Sequence, residues 1–171
     1  MITPLEEILK CEEFWKLAGI GGHKVYHHEG NALIHTTMVI EEAKKMFPDE
    51  PLMVRVAALH DIGKIYTSIC NGPNDWSYPD HSVCGSLKGI LAKFISHQDE
   101  DFTKIQWYIR NHIKPLFWKK DNFDNTLPIV MMENAPEGCS FRNLARLAVC
   151  DIRGSISDVD QTELINFLLS L

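Results

Sequence analysis

Apolar residues recur at steps of three or four along most of this chain, and that period limits the possible folds more than any other feature. Between Ala32 and Met46 the stripe runs through positions 32, 35, 39, 43 and 46, so His35 falls on the face a helix would bury. Asn31 is placed to cap this helix, and Pro48 ends it near Phe47. Pro51 opens the next helical stretch, through Leu52, Val56 and Leu59 to His60-Asp61, with Gly63 placed to close it. Nearer the N-terminus, Leu5, Ile8, Leu9, Phe14, Trp15 and Leu17 predict a helix over 5–17 behind Thr3-Pro4, stopped by Gly19, Gly21 and Gly22. Further helical stretches cover 82–97, 101–112, 139–152 and 159–170. Residues 113–138 are mixed, with Pro115, Pro128 and Pro136, and alternating strand patterns are scarce. The expectation is an all-α fold: one helical bundle over 1–171 with about six or seven helices.

Composition narrows the partners. A chain of 171 residues that is 45% hydrophobic can bury one domain-sized core. Its formal charge of −6 lacks the basic footprint of a general nucleic-acid binder. Lys114, Lys119 and Lys120 lie among aromatic residues, which suits either a local basic groove or a solvated loop. Five cysteines without CxxC spacing argue against both a disulfide framework and a thiolate zinc site. No basic leader precedes an apolar core, and no segment approaches the roughly 18 to 20 apolar residues of a membrane span. The expectation is a reduced, soluble, cytoplasmic protein without a membrane partner. No feature of the sequence specifies an oligomeric state.

The chemistry lies in His35, His60-Asp61, His81, His112 and Asp151, each on or beside a helical stretch that also carries apolar residues. Burying several ionisable groups on separate helices is costly unless they have partners. A divalent cation removes the cost, because neutral imidazoles and carboxylates then serve as ligands. Singly, each residue has a plainer reading. His35 could be a hydrogen-bonded core histidine, Asp151 a cap before Gly154, and His81 an ordinary helix-start residue after Asp80.

Their order is similar to the H…HD…D pattern of the HD-domain metal-dependent phosphohydrolases. The segments HHEGNALIHT (27–36), VRVAALHDIGK (54–64), YPDHSVCG (78–85), RNH (110–112) and CDIRG (150–154) resemble the HD domain found C-terminal to the catalytic core of some bacterial CCA-adding tRNA nucleotidyltransferases. The resemblance covers about residues 22–155 of the chain. It departs from that family in having no nucleotidyltransferase domain, so a CCA-adding role is not expected, and Ser82 stands where the pattern often has glutamate.

The resemblance implies that His35, His60, Asp61 and Asp151 are the primary metal ligands. It assigns His81 and His112 either to a second metal bridged by Asp61 or to substrate phosphate. The sulfur-free ligand set suits Mn, Fe, Ni, Co or Zn, as one ion or two. Asp61 and Lys64 are the implied catalytic residues, Asp61 orienting a metal-activated water and Lys64 meeting the phosphate. Lys64 otherwise reads as an exposed lysine at a helix end. Lys64, Arg153 and His27 are the candidate substrate contacts; Arg153 could instead hold a carboxylate that supports a metal ligand, and His27 and Glu29 either line the entrance or cap the helix that carries His35, the latter being the plainer reading for Glu29. The implied activity is hydrolysis of a small nucleotide-type phosphoester, with 2′,3′-cyclic nucleotide phosphodiesterase, 2′-nucleotidase or phosphatase action as the nearest precedent. Two alternatives stay open. One is a di-metal hydrolase of dinucleoside polyphosphates or deoxynucleotides. The other is a non-catalytic metal- and nucleotide-binding sensor.

Overall fold

A computed structural model describes residues 3–23, 25–124 and 126–171. At its start the Glu6 N–H donates to the Thr3 hydroxyl, while the Thr3 N–H donates to the Glu6 carboxylate at 2.7 Å. This capping box heads α1 (Pro4–Lys10). The helix does not run to Leu17 as the stripe suggests. Ile8, Phe14 and Leu17 are all buried, yet on one continuous helix Phe14 and Leu17 would lie about 120° and 180° away from Ile8. Leaving the helix at Cys11 and resuming as a 3-10 turn over Phe14–Gly19 lets all three reach the core.

In α2 (Ala32–Met46), Asn31 caps as expected, its side-chain oxygen accepting from the Ile34 N–H at 3.0 Å. The buried face carries Ala32, His35, Thr36, Val39, Ile40 and Ala43. Helix α3 (Pro51–Leu59) is buried at Met53 and from Arg55 to Leu59. A helix apolar on nearly every side belongs in the middle of a domain, and α3 packs against both α1 and α2. The buried Arg55 guanidinium is paired with Asp99 and Asp101, which removes the cost of an isolated charge.

Past α3 the chain turns through 60–63 and re-enters a short helix, α4 (Lys64–Thr67). Gly63 is not the left-handed stop its position suggests. Its backbone is right-handed helical, φ −62° and ψ −25°. Glycine is required there by crowding: a Cβ would stand 1.8 Å from the His81 carbonyl oxygen and 2.7 Å from the Gly85 nitrogen. The bare backbone therefore lets α5 (His81–Gly85) come against the turn that carries Asp61.

Between α4 and α5 lies an antiparallel hairpin, β1 (Ile69–Gly72) with β2 (Asp75–Ser77), irregular between Cys70 and Gly72. Its strands are too short to show an alternating pattern. The stretch 82–97 is two helices rather than one, α5 and α6 (Lys88–Leu91), because Leu87 between them is extended. Helix α7 (Phe102–Asn111) packs on α3 and α5. The mixed segment contains 3-10 turns at Lys114–Phe117 and Lys120–Asn122 and the short α8 (Leu127–Met132). Ser140 caps α9 (Phe141–Arg153), which lies against α2 and α10 (Thr162–Ser170). At Gly154 a Cβ would stand 2.8 Å from the Val39 nitrogen, so α9 ends in close backbone contact with α2.

The class is all-α as expected, 57% helical with one two-stranded sheet among the described residues. The described residues form ten α-helices rather than six or seven, because interruptions divide the longer stretches. A continuous apolar cluster runs from Ile8 to Leu168. No described helix is long and apolar enough to cross a membrane.

The Gly63 contact can be tested by substitution. Gly63→Ala is expected to cost about 1–3 kcal/mol of stability by overpacking against backbone, read from denaturant unfolding. A variant as stable as its parent would show that the approach of α5 does not need the glycine.

Candidate metal centre

Six side chains from five parts of the chain converge where α2, α3, α5, α7 and α9 meet. His35 comes from the buried face of α2, and Asp151 from the last turn of α9. His60 and Asp61 follow α3, His81 opens α5, and His112 follows α7. They form two groups. In the first, His35 Nε2 lies 3.4 Å from His60 Nε2 and 3.0 Å from Asp151 Oδ1, and His60 Nε2 lies 3.8 Å from the same oxygen. In the second, His81 Nε2 lies 3.3 Å from His112 Nε2.

Asp61 belongs to both groups. Its Oδ2 is 3.3 Å from His60 Nε2 and 3.6 Å from His35 Nε2, while its Oδ1 is 3.3 Å from His81 Nε2 and 3.7 Å from His112 Nε2. Ligand atoms about 2.0–2.2 Å from one cation stand roughly 3–3.6 Å apart. Most of these separations fall in or near that range, and both groups satisfy the geometry of a metal-holding cluster.

The outward ring nitrogens explain how the inward ones are aimed. His60 Nδ1 lies 2.7 Å from the Ala57 carbonyl, His81 Nδ1 2.9 Å from that of Tyr78, and His112 Nδ1 2.7 Å from that of Ile109. Each acceptor is the carbonyl three residues earlier, so each ring is tied to its own turn. A carbonyl only accepts, so each Nδ1 carries a hydrogen, and in the neutral ring Nε2 is left with the lone pair. His35 sits mid-helix and uses other acceptors, the Glu29 carboxylate at 3.1 Å and the Gly154 carbonyl at 3.2 Å.

The lone pairs of His81 and His112 thus face each other at 3.3 Å. A proton does not relieve this. Burial pushes His112 down to about 3, and burial lowers His81 as well, so both rings are neutral. A cation between the rings turns the repulsion into coordination. Asp61 Oδ2 shows the same need: it is buried and has no hydrogen bond of acceptable geometry, although Lys64 Nζ is 2.6 Å away. The donor set and this orphaned oxygen fit a divalent cation.

Burial alone would raise the Asp61 carboxyl, but His60 and Lys64 hold it well below its ordinary range. Burial likewise opposes charge on His35, yet hydrogen bonds to Asp151 and Glu29 raise it to about 9. The unprotonated second group is ready to coordinate, whereas the first must release a proton from His35.

Lys64 is buried, with Nζ 4.3 Å above the Tyr78 ring, so it is not an exposed helix-end lysine. Arg153 is exposed. Two residues past Asp151 on the same helix, it points about 200° away, and the structure does not bring it to the cluster. His27 lies beside the site, its Nδ1 2.9 Å from Glu29 Oε1 and its ring 4.7 Å from that of His35.

Glu29 is the residue whose part sequence reasoning missed. Asn31 already caps α2, so Glu29 is not the helix-start group. Its Oε1 takes both His27 and His35, and its Oε2 accepts the Ile156 N–H at 3.0 Å. This hydrogen-bonded brace ties the loop before α2 to the loop after α9. One signal could have revealed it: a second polar residue ahead of a helix that already had a cap.

The cluster opens through His27 and Asp151 onto a cavity of about 640 Å³, walled by 116–121 and by α10. Neither the protein-family models nor the curated proteins searched contain a match to this chain.

The His35 proton sets a pH dependence. Below about 9 the ring is protonated, and a cation must displace that proton. Metal affinity is therefore expected to fall as pH falls, by about tenfold per unit between pH 8 and 6 for one proton exchanged. Metal titrations at several pH values measure this, and an affinity flat across the range would contradict it.

Proposed function

We infer that this protein is a metal-dependent phosphohydrolase acting on a small nucleotide-type phosphoester, and that its centre takes two cations bridged by Asp61. The observation that carries the reading is the division of the Asp61 carboxylate, with one oxygen toward each histidine group. The resemblance of His35, His60-Asp61 and Asp151 to the HD-domain pattern supports it independently of the geometry. His35, His60 and Asp151 would hold the first cation and His81 and His112 the second, with the two oxygens of Asp61 serving both. Nitrogen and oxygen ligands without sulfur suit Mn, Fe, Ni, Co or Zn.

Divalent cations so bound neutralise phosphoryl oxygens and lower the pKa of water. The chain supplies the rest. Fixed Nδ1 hydrogen bonds keep the four imidazoles oriented without reorganisation during the reaction. Lys64 is held between Asp61 and Tyr78, where its ammonium can meet a phosphoryl oxygen as negative charge grows. His27, its Nδ1 committed to Glu29, lines the cavity and can meet substrate there. In the overall reaction the water oxygen bonds to phosphorus, the ester P–O bond breaks, and the departing oxygen takes the proton that water gives up.

A panel of phosphomonoesters and cyclic phosphodiesters with added Mn, Ni or Co tests this reading. Metal-dependent turnover is expected, and Asp61→Ala is expected to lower kcat/KM by more than about 100-fold. A metal-loaded protein that leaves every ester intact would instead be a metal-dependent binding module.

A further inference from the structure

Tyr78, the residue after the hairpin, is tied into the surroundings of the cluster at several points. Trp76 on β2 lies so close to Gly21 that a Cβ there would stand 2.2 Å from its indole nitrogen. Two residues on, the Tyr78 hydroxyl donates to the Gly21 carbonyl. Gly21 is itself paired with Asn31, the cap of α2. At the other end of the residue, the Tyr78 carbonyl faces His81 Nδ1 at 2.9 Å. The Tyr78 ring stands nearly perpendicular to the His81 ring, 6.2 Å away. Held by its hydroxyl and by its backbone, the ring turns one face to Lys64 Nζ at 4.3 Å.

Lys64 is 4% exposed, so its ammonium depends on partners that the fold provides in place of water. It has the Asp61 carboxylate at 2.6 Å and the Tyr78 ring. The carboxylate is the stronger partner by itself, yet its oxygens also serve both cation sites. Cations on Asp61 would use the negative charge that attracts the ammonium, and would repel the ammonium as well. An aromatic face behaves differently. It attracts a positive charge through its quadrupole and has no net charge to be neutralised.

We propose that Tyr78 is the positioning residue of Lys64: its ring face keeps the ammonium beside the centre when Asp61 is given over to cations, a role that rests on the two-cation reading of that centre. Tyr78 touches neither metal nor phosphate in this role. It keeps Lys64 buried where the ammonium can meet a phosphoryl oxygen, against a repulsion that drives the side chain toward solvent. The hairpin gains a purpose from this. Trp76 and Tyr78 close on the Gly21 loop, and the loop in return fixes the ring.

Zinc is diamagnetic, so the position of Lys64 can be read by NMR on protein labelled with carbon-13 at lysine, its signal assigned by its loss in Lys64→Arg. Side-chain protons above an aromatic face are shifted upfield. The Lys64 Hε signals are expected upfield of those of the other lysines in metal-free protein and to stay there with zinc bound. A shift that vanishes on zinc loading would overturn the proposal. Binding of inorganic phosphate to zinc-loaded protein gives a second readout. Tyr78→Phe keeps the ring face and is expected to bind phosphate within about threefold of the parent. Pentafluorophenylalanine at position 78, similar in shape but with the charge of its face reversed, is expected to weaken binding about tenfold, as is Lys64→Met. Combining the fluorinated ring with Lys64→Met is expected to add nothing, because the ring acts only through the ammonium. Equal binding by the two ring variants, or a full further loss in the combination, would overturn the role. Both expected results in a protein without turnover would support the role of Tyr78 and count against the hydrolase. Turnover and phosphate binding indifferent to the charge of the ring face would remove Tyr78 and leave the hydrolase standing.

Discussion

Asp61 is the constraint around which the rest of the structure is arranged. Its carboxylate is buried at the end of the central helix α3, faced by two imidazoles on each oxygen and by the Lys64 ammonium. A buried carboxylate without partners would be protonated or would destabilise the fold. Here its partners come from α2, α5 and α7 and from the start of α4. The packing of the bundle and the solvation of this one group are therefore the same problem.

The backbone solves it with two devices. The first is close approach: Gly63 admits α5 to the Asp61 turn, and Gly154 seats the end of α9 on α2. The second is local anchoring. His60, His81 and His112 each tie Nδ1 to the carbonyl three residues before, which aims Nε2 inward without help from another element. His35 lacks that option in mid-helix and depends on Glu29, so the first group relies on a loop carboxylate while the second is self-supporting. This difference also gives the two groups different proton demands, since His35 shares charge with Glu29 and Asp151 whereas His112 stands neutral.

Much of the site was legible in the sequence because helical period is a strong local signal. Asn31, Pro51 and the stripe through His35 locate α2 and α3 closely, and the residues singled out on separate helices do meet. What stayed illegible depends on long-range contact. The break after Lys10 follows from where Ile8 and Phe14 must both be buried. The purpose of Gly63 depends on a carbonyl eighteen residues away, at His81. For Arg153 the sequence left two readings open, a phosphate contact or a partner for a carboxylate, and helix geometry directs its exposed side chain away from Asp151. Segment 113–138 has no period to read, because its order comes from aromatic contacts with α9 and α10 rather than from its own repeat.

The central claim is that one carboxylate is shared between two cation sites, and metal stoichiometry tests it most directly. Elemental analysis of reconstituted protein is expected to give about two metal ions per chain for the parent and about one for His112→Ala. Asp61→Ala, which removes the shared ligand, is expected to lose most of both while keeping its helical circular dichroism. Full metal retention by Asp61→Ala would contradict the account.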